Sequence, residues 1–235
     1  MSTGDPFLGI PPLTEYRHPN PDQELQRQHG LTGDELLDAD LLRKLESRWR
    51  DHHLPLLDKL RPGVSEDRID ALTAPLGLQL PLEAKRWWGW HDGGDVGPLA
   101  PDRYLGPGFE FLPLAEAIER CVWWRQLAVE TARDIDSTDA ASDPHFWWRA
   151  SWFPVTERNG ALACDCSVAA DTPTPIYCPD SHDVVGRTEP GTRSLRQLVA
   201  WWAEAFDTGV WKYDAESRQW NYQWELLDPI RARLV

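Results

Sequence analysis

The chain has 235 residues, which is long enough to bury one sizeable hydrophobic core. Hydrophobic residues make up 41% of it and charged residues 26%, and this composition excludes an intrinsically disordered protein. The formal net charge of −14 argues against direct binding to nucleic acid or to an anionic membrane surface, because both need clustered Lys and Arg. The same charge suits a basic protein partner.

The N-terminal segment shows no signal for export or membrane insertion. No basic stretch precedes an apolar one in MSTGDPFLGIPPLTEY, and no segment reaches the roughly 18–20 apolar residues that a membrane helix needs. We therefore expect a cytoplasmic protein that does not enter membranes. Its four cysteines are then expected to be reduced thiols and not disulfides.

The first third of the chain predicts an arm followed by helices. Residues 1–33 are rich in proline and predict a flexible arm, whereas leucines recur at helical spacing in residues 34–62, which we assign to an N-terminal helical extension. Ser65 is expected to cap a further helix that ends at Gly77. The helix after that is expected to end in a glycine turn formed by residues 92–94.

The remainder of the chain alternates between strands and helices. A short strand in FEFLPL precedes a long amphipathic helix that starts near Leu114. Three strand candidates follow, FWWRASWFPVT, GALACDCSV and PIYCP, with turn signals between them. A helix capped by Ser194 closes the predicted domain of residues 63–210, and the Trp-rich tail of residues 211–235 predicts a hairpin or an arm.

Tryptophan is unusually abundant, with 14 in the chain. Its side chain buries a large area and keeps a polar N–H, so it serves both cores and interfaces. Neighbours on a helix point about 100° apart, so one member of an adjacent pair can face inward. We predict that Trp87 or Trp88, Trp152, and Trp201 or Trp202 meet in one core.

The stretch ALACDCSV, residues 161–168, suggests a metal or redox site because two cysteines flank an aspartate. Cys178 and His182 follow, and thiolates with an imidazole could hold zinc. A structural zinc site, however, usually has two pairs of ligands, and this stretch has one. In an extended strand Cys164 and Cys166 share a face and act as small hydrophobes. We predict a strand with no metal and no cofactor, and a metal site or a catalytic cysteine as the alternatives.

No other arrangement of residues identifies a catalytic centre. His91–Asp95 reads HDGGD, but its glycines follow a helix, whereas those of a phosphate loop lead into one. Ser181–Asp183 has the letters of a catalytic triad, but triad residues meet in space and are not adjacent in sequence. The motifs of P-loop, dinucleotide-binding, zinc-protease and serine-hydrolase sites do not occur. We therefore assign no catalytic residue and expect a protein that is not an enzyme.

The order of these segments resembles the SUKH superfamily, and within it the Smi/Knr branch, whose members are often described as cell-wall-assembly regulators. Five steps carry the resemblance: Gly77–Pro81 before a helix, the strand and helix of FEFLPLAEAIE, Trp152–Val155, Gly160–Asp165, and Ile176-Tyr177 leading to His182-Asp183. The resemblance covers Ser65 to Thr208. It departs from the family pattern at His91-Asp92-Gly93, where Asn-Gly is usual.

This resemblance implies an α+β fold, with a mixed, mostly antiparallel sheet and helices packed around it, in agreement with the predicted order of elements. It also implies a bacterial, non-enzymatic protein-binding module. Many members of the superfamily look like immunity proteins that bind and neutralise toxin domains, commonly nucleases or deaminases, and others look like regulatory adaptors. We expect an immunity protein whose partner is a basic toxin domain.

Two other classes of function remain open at this point. The paired tryptophans could stack against a small molecule or a glycan, and a deep cleft lined by exposed rings would favour that class. An enzyme could use Asp165, His182 or a cysteine, and a strongly shifted pKa of a carboxyl or thiol in a pocket would favour it. A toxin gene beside this one would favour the immunity protein.

The predicted partner-binding surface lies around WHDGGD, residues 90–95. Side chains of a glycine turn after a helix are expected to project outward, and Trp90 lies beyond the tryptophan pair assigned to the core. We predict an acidic, aromatic-edged surface formed by Trp90, Asp92, Asp95, Asp102 and Glu110. Its carboxylates would speed the encounter with a basic partner, and this effect should fade with salt.

Overall fold

The computed structural model describes residues 35–95, 101–133, 139–157, 161–179 and 192–223, together with residues 135 and 137. Within these ranges the helices are α1 (Ala39–Asp51), α2 (Glu66–Thr73), α3 (Leu82–Trp90), α4 (Leu114–Arg133), α5 (Pro144–Trp147) and α6 (Leu195–Asp207). The strands are β1 (Leu60–Pro62), β2 (His91–Gly94), β3 (Tyr104–Gly106), β4 (Phe109–Glu110), β5 (Trp152–Thr156), β6 (Leu162–Asp165), β7 (Ile176–Tyr177), β8 (Trp211–Asp214) and β9 (Gln219–Tyr222). The predicted α+β class is confirmed. The predicted arm and His182 lie outside the described residues.

The described strands pair antiparallel, as β1–β2, β3–β4, β5–β6–β7 and β8–β9. The three-stranded sheet separates two hydrophobic clusters, because successive side chains of a strand point to opposite faces. Phe153 of β5 and its cross-strand partner Cys164 lie in the main core. Trp152 and Ala163 lie in a smaller cluster on the other side. Both faces of this sheet are therefore covered.

Helix α1 belongs to the main core, although the sequence places it in the N-terminal extension. Leu42, Leu45 and Trp49 are buried along one face of the helix, which packs against α6. The Trp49 indole N–H donates a hydrogen bond to the Leu105 carbonyl at 3.0 Å. The boundary predicted between the extension and the domain, at residues 62 and 63, stays a prediction.

Two segments that were not predicted as strands pair with each other. The stretch predicted as helical before Gly63 is a 3₁₀ helix over Pro55–Lys59, followed by strand β1. The predicted glycine turn is strand β2, in which His91 pairs with Pro62 of β1. The turn prediction is wrong because β1 pairs with this segment and so makes it a strand. Gly93 is needed for a different contact, since a Cβ atom there would lie 2.6 Å from the Pro113 nitrogen. Its φ of 64° also favours glycine.

The predicted tryptophan core is confirmed in part. Trp87 and Trp202 are fully buried in the main core, where their ring centroids lie 5.8 Å apart. Trp152 is fully buried as well, but it lies in the smaller cluster, with its ring edge-on to Trp148 at 5.9 Å. The prediction for Trp152 is wrong because the alternation of side chains along β5 directs its neighbour Phe153 into the main core.

Helix caps decide several boundaries. Ser194 caps α6 as predicted, since its hydroxyl accepts a hydrogen bond from the Gln197 backbone N–H at 3.0 Å. Ser65 precedes α2, but its side chain makes no capping hydrogen bond, so that part of the prediction is wrong. Asp143 caps α5 by accepting from the His145 N–H at 2.9 Å, and the strand predicted to start at residue 146 therefore begins later, with β5. In the described part of the tail, residues 211–223, β8 and β9 form a hairpin, which is one of the two predicted alternatives.

Candidate partner-binding surface

Trp90, the aromatic residue of the predicted surface, packs inward. It is half-buried, stacks on Trp49 with ring centroids 5.3 Å apart, and contacts Trp87 at 5.7 Å. The expectation that its side chain projects outward is wrong, because strand β2 begins at the next residue and holds the end of α3 against α1. Trp90 therefore connects these two helices from inside the fold.

Asp92 has a structural partner that the sequence did not suggest. Its carboxylate accepts a hydrogen bond from the Leu114 backbone N–H at 2.7 Å, at the first residue of α4. A carboxylate at this position satisfies an unpaired donor of the first helical turn and interacts favourably with the helix dipole. Asp92 thus attaches strand β2 to the start of α4.

Glu110 is only 7% exposed and forms part of a buried polar cluster. One carboxylate oxygen lies 3.3 Å from Nε of Arg103, and the other accepts a hydrogen bond from the Tyr104 hydroxyl at 3.2 Å. Burial raises the pKa of the Glu110 carboxyl, while the Arg103 guanidinium opposes that shift. Arg103 also pairs with Glu116 at 2.5 Å, so this cluster joins β3 and β4 to α4.

Of the predicted carboxylates, Asp95 is exposed at the surface and Asp102 is partly exposed, with 20% of its side chain accessible. Both residues flank the 3₁₀ helix Pro55–Lys59. The backbone N–H of Asp95 donates a hydrogen bond to the Lys59 carbonyl at 2.6 Å. The turn that holds Asp102 packs against the same helix. The Asp95 side chain is 84% exposed and lies 3.5 Å from Arg61. The Asp102 carboxylate pairs with Arg218.

The exposed Asp58 lies in that 3₁₀ helix itself. We call Asp58, Asp95 and Asp102 the acidic edge. The structure therefore brings two of the five predicted residues, with one more carboxylate, around a single short helix. The other three predicted residues, Trp90, Asp92 and Glu110, make contacts inside the fold next to this region.

Glu83 is a fully buried carboxylate whose role the sequence analysis missed. One oxygen accepts hydrogen bonds from the backbone N–H groups of Leu37 at 2.8 Å and Arg196 at 3.0 Å. The other accepts from Thr174 at 2.6 Å and Leu195 at 3.3 Å. Glu83 of α3 thus holds the segment before α1, the loop before β7 and the first turn of α6 together.

A signal for Glu83 was present in the sequence. The residue lies four positions before Trp87, on the apolar face of the helix predicted to begin at Pro81. A single acid on a buried helix face needs hydrogen-bond donors, because an uncompensated buried charge is strongly unfavourable. The donors themselves could not be predicted, since three separate segments supply them.

The strand predicted for the cysteine stretch is confirmed for Leu162–Asp165, whereas Cys166 lies in the turn that follows. Cys164 is fully buried in β6, and its sulfur lies 4.0 Å from that of Cys166. The hydrogen bond with Cys166 and burial raise the pKa of the Cys164 thiol well above its usual range, and burial raises the pKa of Cys121 to about 11. Among the described residues, no three His, Cys, Asp or Glu side chains are grouped as a metal site would require.

Replacement of Cys164 by serine tests the core role of this thiol. We expect Cys164→Ser to lower the free energy of unfolding by about 1–3 kcal/mol, because it buries a hydroxyl in an apolar site. Urea denaturation measures the change, and the half-buried Cys166→Ser is the matched control with a smaller expected loss. Equal losses would contradict the assignment, and so would about one zinc atom per purified chain in elemental analysis.

The described chain is an α+β domain in which helices surround small antiparallel sheets. It belongs to the SMI1 / KNR4 family (SUKH-1), whose family model matches residues 63–198, more than half of the chain. The resemblance stated from the sequence is thereby confirmed. No curated protein matches the chain. In the part of the chain that the structure describes, none of the helices is both long and apolar enough to cross a bilayer.

Proposed function

We propose that this chain is a non-enzymatic immunity protein that binds a basic toxin domain in the cytoplasm and neutralises it. The observation that carries the proposal is membership of the SMI1 / KNR4 family (SUKH-1) over residues 63–198. The resemblance to SUKH proteins implies protein binding as the mode of action. The net charge of −14 adds a physical preference for a basic partner over an acidic one.

We propose the acidic edge as the surface that meets this partner. The pair between Asp95 and Arg61 is exposed on both sides, with side chains 84% and 39% accessible. Exposed ion pairs of this kind contribute about 0–1 kcal/mol, so a basic side chain of a partner can displace Arg61 at little cost. Carboxylates at such a rim act mainly on the association rate.

Trp90, Asp92 and Glu110, the three predicted residues that make contacts inside the fold, have a supporting role in this proposal. Trp90 stacks on Trp49 of α1, Asp92 attaches strand β2 to α4, and Glu110 lies in the polar cluster beside β3. Because each contact fixes a backbone segment that bears or adjoins the acidic edge, the carboxylates are held in place before the partner arrives. A surface arranged in advance loses less entropy on binding.

Neutralisation is tested first in cells. Each protein encoded beside this gene is produced in a sensitive host, with and without this chain, and growth is measured. We expect one neighbouring product to be toxic alone and harmless when this chain is present, and to form a stable complex with it in size-exclusion chromatography. Toxicity that persists when this chain is in excess would contradict the immunity function.

The acidic edge is tested by the charge reversal Asp95→Lys. Against the partner so identified, we expect association at low salt to slow by about 3–10-fold while the melting temperature stays the same, because Asp95 acts from the rim. Stopped-flow association rates at two salt concentrations measure the effect, which should shrink at high salt.

The matched control is Asp171→Lys, which makes the same change of charge at another exposed residue. Asp171 lies beside the start of α3, whereas Asp95 follows β2 at the other end of that helix. We expect the control to leave the association rate nearly unchanged. Equal slowing by both variants would assign the effect to net charge and would remove the acidic edge from the proposal. Asp92 is unsuitable for this test because it caps α4.

A further inference from the structure

Helix α4 carries the exposed apolar side chains of the described residues. Large hydrophobic residues with substantial exposure are Val122 at 37%, Trp123 at 46% and Val129 at 47%, and all three lie on this helix. Trp49 and Trp202, by contrast, are fully buried in the main core. An exposed indole ring with two valines on one helix is the kind of apolar surface through which proteins bind other molecules.

The exposed residues of α4 follow a seven-residue spacing. Ala115, Val122 and Val129 form one exposed row, and seven-residue steps keep side chains on nearly the same side of a helix. Glu119, Gln126 and Arg133 form a second exposed row beside it. The first row is apolar and the second is polar, which is the pattern of a helix that packs lengthwise against another helix.

The polar row is complementary to itself. Gln126 lies midway between Glu119 and Arg133. If a second α4 runs antiparallel about Gln126, Glu119 of one protomer lies opposite Arg133 of its partner. The twofold symmetry forms this pair two times. The same symmetry places Trp123 of one helix opposite Val129 of the other. Within the described residues, neither Glu119 nor Arg133 has an ion-pair partner. A parallel arrangement would instead oppose like charges, which is unfavourable.

We propose that the exposed face of α4 binds a second copy of this chain, as an antiparallel, twofold-symmetric helix pair centred on Gln126. Such an interface is isologous, because the same residues serve both protomers. One helix pair buries less than the roughly 1,600 Å² of a standard interface, so the dimer is weak, with a dissociation constant in the micromolar range. The proposal is independent of the partner bound at the acidic edge.

Sedimentation velocity of the full chain between about 1 and 200 μM tests the dimer. We expect the sedimentation coefficient to rise with concentration from that of a monomer to that of a dimer. Trp123→Ala should raise the dissociation constant about tenfold or more, because it removes the largest exposed side chain of the interface. Asp95→Lys, on the acidic edge, should leave dimerisation unchanged. Thermal melting of each variant establishes that it is folded.

A charge swap separates the proposed geometry from other dimers. Glu119→Arg alone and Arg133→Glu alone should each weaken the dimer, because each places like charges opposite one another across the twofold axis. The double variant Glu119→Arg with Arg133→Glu should restore the wild-type dissociation constant within about threefold.

Three results would overturn the proposal: a monomer over the whole concentration range, a dimer that Trp123→Ala leaves intact, or a double variant no better than the single ones. A monomeric chain whose Trp123→Ala variant loses toxin binding would assign the face to the toxin and not to a second copy. If the wild-type chain dimerises as expected but does not neutralise any neighbouring gene product, only the proposed immunity function is contradicted.

Discussion

Replacement of Glu83 by alanine is expected to lower the free energy of unfolding by about 4 kcal/mol. Each of four backbone N–H groups loses its acceptor in the interior, at a cost of about 1 kcal/mol. These groups belong to Leu37, Thr174, Leu195 and Arg196, so three segments distant in sequence lose their common attachment. Urea denaturation followed by tryptophan fluorescence measures the change.

The isosteric variant Glu83→Gln gives the sharper comparison. An amide keeps one acceptor oxygen but turns an N–H₂ group toward two backbone donors, so we expect an intermediate loss. Glu66→Gln, at an exposed acid in the first turn of α2, is the matched control and should change the unfolding free energy by less than about 0.5 kcal/mol. If Glu83→Ala were no more costly than this control, Glu83 would not join the three segments.

Replacement of Trp49 by alanine is the second change with a large expected effect. Trp49 is fully buried, stacks on Trp90 and donates a hydrogen bond to the Leu105 carbonyl. Large-to-small changes at such tryptophans cost about 3–5 kcal/mol, through lost burial and the cavity left behind. Because Trp49 precedes the residues that match the family, the measurement also shows whether the extension and the matched domain unfold as one unit.

A single cooperative transition, shifted to lower urea, is the result that we expect for Trp49→Ala. Two separate transitions, with the later one unchanged, would show that α1 folds apart from the domain. Arg43→Ala, on the exposed side of α1, is the control and should shift the free energy by less than about 0.5 kcal/mol, because its pair with Asp40 is exposed.

The helices were the most predictable part of this fold, because local sequence specifies them. Apolar spacing and a serine before the first turn located α6, and its cap is the one predicted. The spacing that predicted α4 runs through the 20 residues observed. The strands β5, β6 and β7 were also found from β-branched, aromatic and cysteine residues between turn signals, although a capped helical turn moved the start of β5.

The pairing of β1 with β2 was not predictable from either segment alone. Pro55 and Leu60 lie in a stretch with helical spacing, and His91–Gly94 has the glycines of a turn. Each segment becomes a strand only because the other provides hydrogen-bond partners about thirty residues away in sequence. The same pairing turned Trp90 inward, so a surface predicted from local geometry lost its aromatic residue.

The sequence by itself determined the α+β class, the family resemblance and the acidic character on which the proposal of a basic partner rests. These properties depend on composition and on local patterns, which can be read from the sequence without knowing which distant residues contact each other. The tertiary structure alone decided which carboxylates reach the surface: Asp95 does, Asp92 caps a helix, and Glu83 satisfies four backbone donors in the core. The physical reason is that an acid's role depends on the donors and cations that folding brings to it, and these come from remote segments.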